Sequence, residues 1–134
     1  MTVDRNERLE VRTSTDVALV RQLVRARAVD AGFSLVDQTK MVTAASELAR
    51  NTLEHGGGGV ASVQLLTENG RRGVRLICED RGPGIADIET AMRDGYTTGS
   101  GLGLGLGGAR RLVNQFAIES RRGEGTRVTI TRWK

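Results

Sequence analysis

Between Gly99 and Gly108 the chain places six glycines in ten residues, and Gly101-Leu102-Gly103-Leu104-Gly105-Leu106 alternates strictly between glycine and leucine. Strict alternation argues against a flexible linker, which needs no regular aliphatic positions. The run leads straight into a segment of helical period, about 106–116, with Ala109, Leu112, Val113 and Phe116 on one face. Backbone N–H groups freed of side chains, at the start of a helix, suit a polyphosphate. A Rossmann dinucleotide loop is the nearest rival. It expects a strand just before the glycines and an acid about 20 residues on. Here Asp94-Gly95-Tyr96-Thr97-Thr98 reads as loop and Glu119 comes early. A Walker loop is excluded, because no Gly-Lys-Ser/Thr occurs anywhere in the chain.

Two further glycine clusters, 56–59 and 82–84, frame acids and amides upstream. Before the first lies a helical segment, about Asp37–Glu54, with Met41, Val42, Ala45, Leu48, Ala49, Thr52 and Leu53 at helical spacing. Glu47 and Asn51 stand four residues apart on it, about 40° apart around the axis. A carboxylate and an amide therefore project together from the edge of a buried helix, away from the apolar stripe, with His55 one turn further. On its own such a pair is most often an exposed polar face. At the second cluster, Glu79-Asp80-Arg81-Gly82-Pro83-Gly84-Ile85 follows an apolar strand. An acid at a strand end can accept from an exocyclic amine such as that of adenine, and adjacent glycines let a flat base approach the backbone. The plain alternative is a Pro-Gly turn.

The rest of the chain gives these segments a frame. Residues 8–13 alternate as a half-buried strand, and Ser14, Thr15 and Asp16 offer N-cap oxygens to a helix running to about Ala31, closed by Gly32. Strands are expected at about 60–67 and 73–79, joined through Asn69-Gly70, a strong hairpin signal. A short helix at about 87–94 precedes the glycine run. Strands near 117–121 and 126–132 flank Gly123-Glu124-Gly125. The order β-α-α-β-β-α-β-β implies a two-layer α/β sandwich, and no linker divides the 134 residues, so 1–134 reads as a single domain. Of its residues 38% are hydrophobic and 27% charged, and only four are aromatic, so aliphatic side chains must fill the core.

The net charge of +4 is carried almost wholly by arginine. These arginines are scattered among acids and lack stacking aromatics, so a solvated surface is favoured over a nucleic-acid face. One cysteine, Cys78, rules out a disulfide framework or zinc cluster within the chain. Nothing reads as a signal peptide, and no apolar run nears the roughly 20 residues of a membrane span. A soluble, reducing, cytoplasmic setting is expected, with no membrane and no nucleic acid as partner.

Taken together, E-x-x-x-N, D-x-G-x-G, G-x-G-x-G and Gly123-x-Gly125-Thr126 occur in order at domain-like spacing. This resembles the N, G1, G2 and G3 boxes of the GHKL ATPase/kinase superfamily. The resemblance implies a Bergerat fold, a mixed, mostly antiparallel sheet covered by helices on one face. Over roughly residues 8–133 the chain is most similar to the anti-sigma regulatory serine/threonine kinases of bacteria, of the stressosome switch-kinase (RsbT) type. The supporting stretches are Asp37-Gln38-Thr39-Lys40, Thr43–Asn51, Glu79–Ile85, Asp94–Thr98, Gly101–Leu106 and Arg110-Arg111-Leu112. One departure is Gly107, where such kinases commonly carry proline.

The resemblance implies ATP and Mg²⁺ as cofactors. Asn51 would bind the metal, and Glu47 would orient or deprotonate the attacking hydroxyl. Asp80 would recognise adenine with Thr126 beside it and Gly82 and Gly84 lining the base. Gly99, Gly101, Gly103 and Gly105 would hold the phosphates, with Arg110 and Arg111 as candidate cations at the helix start. His55 is expected mainly to cap its helix. The implied substrate is a STAS-domain antagonist protein, with a PP2C-type phosphatase as a later partner. A sigma factor held by an anti-sigma factor is the alternative.

Overall fold

In the computed structural model, residues 1–85, 88, 92 and 105–134 are described. The elements run β1 (Thr2–Val11), α1 (Ser14–Asp30), α2 (Leu35–Glu54), β2 (Gly59–Glu68), β3 (Arg71–Asp80), α3 (Gly105–Arg111), β4 (Gln115–Arg121) and β5 (Gly125–Trp133). The strands form one sheet of order β1-β2-β3-β5-β4. Every pairing is antiparallel, so the sheet is not mixed. Asn69 and Gly70 both take positive φ, at 52° and 76°, the backbone of a type I′ hairpin between β2 and β3.

Alternation along the strands sorts the sheet into two faces. Ala61, Val63 and Leu65 of β2, Val74, Leu76 and Cys78 of β3, and Val128 and Ile130 of β5 are buried in one core with Val20 and Val24 of α1 and Met41, Ala45, Leu48 and Ala49 of α2. Fully burying a side chain such as Leu76 contributes about 1.5–3 kcal/mol. On the other face Arg8, Ser62, Arg75, Ile77 and Arg127 line shallow grooves. This is the two-layer sandwich expected from the element order, with helices on one face.

Several boundaries differ from the sequence expectation, each for a local reason. β1 begins at Thr2 rather than near residue 8, since its backbone finds a pairing edge on β2 that a charged, weakly alternating segment does not advertise. α1 is capped by Thr13: its Oγ1 accepts the Asp16 N–H at 3.3 Å and Asp16 Oδ2 accepts the Thr13 N–H at 3.0 Å, a capping box. α2 starts at Leu35 rather than Asp37, because Ser34 caps it through the Asp37 N–H at 3.2 Å. α3 stops at Arg111, not 116. The Asn114 N–H donates to the Thr131 carbonyl and its Oδ1 accepts the Trp133 N–H, drawing the chain into the sheet and placing Phe116 on β4 opposite Ile130. Of the short helix expected at 87–94, only Ile88 and Met92 lie within the described residues. The Met92 N–H donates to the Ile88 carbonyl at 2.9 Å, at helical spacing.

Candidate functional site

β3 delivers Asp80 to the helix-facing side at one end of the sheet, because it continues the inward series Val74, Leu76, Cys78. Its side of the strand is sealed and the residue is only 8% exposed. A buried carboxylate needs donors, and Oδ1 accepts the Gly82 N–H at 2.9 Å. The residue beneath it is Gly56, just beyond α2. A β-carbon there would collide with the Asp80 carboxylate, so glycine at 56 is a condition for Asp80 standing where it does. Thr126 of β5 is the register partner of Asp80, and Ser120 of β4 is the partner of Thr126. Three polar side chains thus stand in a row across three adjacent strands.

Beside that row lies a cleft of about 650 Å³ whose lining includes Asp80, Thr126, Ser120, Gly125, Ile118 and Ile88. Its size falls within the range of small-molecule sites, and its lining is mostly polar and charged, with Ile88 and Ile118 as the apolar side chains. The 82–85 turn does not line the cleft but is bonded to its lining residue Ser120, and it is tied down from two sides. The His55 ring Nε2–H donates to the Gly84 carbonyl at 3.0 Å. From the opposite side Ser120 Oγ accepts the Ile85 N–H at 2.7 Å, and the Gly123 N–H donates to the Pro83 carbonyl. Gly84 has φ +74°, and a side chain on it would strike the Arg121 carbonyl. The glycines of this turn therefore let it sit tightly on α2 and the β4–β5 hairpin, a packing role that the sequence reading did not foresee.

The second half of the site is on α2. Glu47 is 8% exposed, so it lies buried and is not part of the exposed polar face that such a pair most often forms. The cause is α3: its first residue packs over Glu47, and Oε2 accepts the Gly105 N–H at 3.1 Å while Oε1 pairs with the Arg50 guanidinium at 3.2 Å. Asn51, one turn on, is half-buried, and its side-chain amide takes no hydrogen bond among the described residues. At about 1.5 Å rise per residue, Glu47 and Gly56 are some 13 Å apart along α2 and its end. One helix therefore carries Glu47 and Asn51 near α3 and ends beneath Asp80.

Of the residues singled out from the sequence, the structure brings Glu47, Asn51, Asp80, Gly82, Gly84, Gly105 and Thr126 to the helix-facing side at one end of the sheet. Gly99, Gly101 and Gly103 lie outside the described residues. Among the described residues no three His, Cys, Asp or Glu side chains group as a metal site. An amide oxygen that needs no charge partner and a nearby carboxylate still fit a cation that keeps waters and takes its other oxygens from phosphates. Three residues were missed: Ser120, Gly56 and Arg50. Ser120 had a readable signal, since the Gly123-Glu124-Gly125 turn sets it opposite Thr126.

The model for the histidine kinase-, DNA gyrase B- and HSP90-like ATPases matches residues 36–134. The chain belongs to this ATPase family. Within it, the chain is 42% identical over 125 residues to the serine/threonine-protein kinase RsbT of Bacillus subtilis, covering 93% of this chain and 94% of that one. It is 31% identical to the anti-sigma F factor of Clostridium novyi, over 69% and 68% of the two chains. Among solved structures, the RsbU and RsbW domains of a Mycobacterium tuberculosis protein align over 97% of this chain and 33% of that one, with TM-score 0.65 and 24% identity. At that identity the likeness speaks for the fold. The family match spans the segments that carry Glu47, Asn51, Asp80, the glycine run and Thr126.

Proposed function

We propose that the protein is an ATP-dependent serine/threonine kinase that phosphorylates a STAS-domain antagonist protein in a bacterial partner-switching cascade. On release from that substrate it engages a second partner, such as a PP2C-type phosphatase. The observation that carries this reading is that a single helix links a buried acid–hydroxyl cleft at Asp80 to a carboxylate–amide pair at Glu47 and Asn51. In the proposed arrangement the base of ATP lies in the cleft against Asp80 and Thr126, and the phosphates lie toward α3 and the glycine run. Mg²⁺, when bound, supplies charge neutralisation on the phosphates, with the Asn51 amide oxygen as its protein ligand. The substrate hydroxyl oxygen attacks the γ-phosphorus, the bond to the β–γ bridging oxygen breaks, and ADP departs. Glu47 orients the hydroxyl and accepts its proton. Phosphoryl transfer asks mainly for such positioning and charge stabilisation. Glu47 is held at both oxygens by Arg50 and Gly105, so its geometry is set before any substrate arrives.

A second reading is sequestration of a sigma factor, which the likeness to anti-sigma F factors supports. The two are separated by mixing the protein and ATP with STAS-domain proteins and sigma factors of the same genome. A kinase leaves one phosphate on a STAS serine or threonine, seen by mass spectrometry, and then lets go. A doubly charged phosphate would face the nucleotide's phosphates at close range and weaken the complex. An unmodified STAS protein beside a tight sigma-factor complex on gel filtration would reverse the ranking.

A further inference from the structure

Ser120 makes three polar contacts through one oxygen. Oγ accepts the Ile85 N–H at 2.7 Å, lies 3.1 Å from the Gly125 carbonyl oxygen, and lies 2.8 Å from Thr126 Oγ1. A serine hydroxyl has one proton and two lone pairs. The Gly125 carbonyl can only accept, so the Ser120 proton points there. One lone pair is taken by Ile85, and the other is left for Thr126, whose hydroxyl must therefore donate. No other placement of the protons turns all three contacts into hydrogen bonds. Thr126 is 3% exposed and buried polar groups are rarely left unpaired, so the fully bonded arrangement is the one to expect.

This has a consequence for the cleft. With its proton committed toward β4, Thr126 offers only lone pairs to a ligand. Its register partner Asp80 also only accepts, and one Asp80 oxygen is already tied to Gly82. We propose that Ser120 is a positioning residue that fixes the hydroxyl polarity of Thr126. Asp80 and Thr126 then act as an acceptor pair that takes both N–H groups of a purine 6-amine and repels a 6-oxo group. The inference rests on the cleft being the base site proposed above, and it adds the residue that makes the site selective at purine position 6. Rejection arises because an oxo group would leave two buried acceptors facing a third.

The test compares ATP with inosine triphosphate, which carries oxygen in place of the 6-amine, by calorimetry on the whole chain. The parent is expected to prefer ATP by about tenfold or more, the scale of one buried hydrogen bond lost. In Ser120→Ala the Thr126 proton is free to turn into the cleft and donate to an oxo group, so the preference should fall by about tenfold. Ser120→Thr restores a hydroxyl and should restore the preference. Thr126→Val removes the second acceptor and should lower the same ratio, and it decides the matter should Ser120→Ala fail to fold. Equal weakening of both nucleotides in Ser120→Ala, or an unchanged ratio in Thr126→Val, would overturn the proposal by reducing Ser120 to a strut for the 82–85 turn. A parent that binds ATP but shows no preference between the two nucleotides would also overturn it, leaving the kinase reading in place. A parent that binds neither would remove the base site itself.

Discussion

At the scale of the residue, the two halves of the site should fail separately. Asp80 is buried and bonded to Gly82, so Asp80→Asn swaps an acceptor for a group that also donates. Binding of ADP should weaken with or without Mg²⁺. Asn51→Ala should remove chiefly the metal-dependent part, because Asn51 lies on α2 and does not line the cleft. Calorimetry in magnesium and in chelator separates the two, and wild-type binding in both variants would mean the site is misplaced. Glu47→Gln preserves an oxygen for the Gly105 N–H and should fold and bind ATP. Transfer to the protein substrate should drop by about 10²-fold, the low end for a positioned base, since phosphoryl transfer depends less on base strength. Full transfer by this variant would take Glu47 out of the mechanism. The candidate positions were readable from sequence, because polar residues at E-x-x-x-N and at a strand end must be satisfied or functional. Their environments were not readable. The burial of Glu47 depends on where α3 lands, and the demand for glycine at 56 depends on where Asp80 sits across the sheet.

The elements were legible where local chemistry decides them and obscure where distant pairing does. The Asn69-Gly70 hairpin and the body of α2 follow from turn preference and period. α3 shows the opposite case: its helical pattern runs on to Phe116, yet strand pairing with β5 takes the chain away at Arg111. A seven-residue helix has no independent stability in water. It is fastened at its start by Glu47 and just past its end by Arg132, whose Nη1 donates to the Leu112 carbonyl at 2.8 Å. The same guanidinium bonds Asp37 Oδ1 at 2.7 Å through Nη2, so one arginine joins β5, the start of α2 and the end of α3. That hydrogen bond holds the Asp37 carboxyl below its ordinary value of 3.8. A depressed carboxyl stabilises the fold above the unfolded-state pKa, and the contribution is lost as pH falls through the folded-state value. Asp37→Asn should therefore lower the urea midpoint near neutral pH. The gap from the parent should close as the buffer is taken below 3.8. A gap that persisted unchanged into strong acid would show that the carboxylate's charge is not what matters.

For the whole molecule, the sheet acts as a wall with one working side. Cys78 sits in that wall directly beneath Asp80 in strand order, wholly buried, and burial pushes its thiol up to about 12. Thiolate is the reactive form, so labelling by iodoacetamide should be negligible in the folded protein and should track unfolding. Fast labelling of folded protein would contradict the packing of β3, and bound nucleotide should slow labelling further by stabilising the folded state. The sheet also has a direction. Asp80, Thr126 and Gly59 share one end, while Thr2 pairs with Thr67 and Trp133 with Gly73 at the other. Gly73 and Asp80 are seven strand steps apart, about 23 Å. Both tails therefore leave from the rear of the molecule with the cleft facing forward, as tethers hold a buoy. A fluorescent protein attached at either tail should leave nucleotide affinity unchanged, whereas one inserted at Gly123–Gly125, on the rim of the cleft, should abolish it. This geometry allows such a unit to be strung between other domains, or anchored by either end, with its mouth still open to solution.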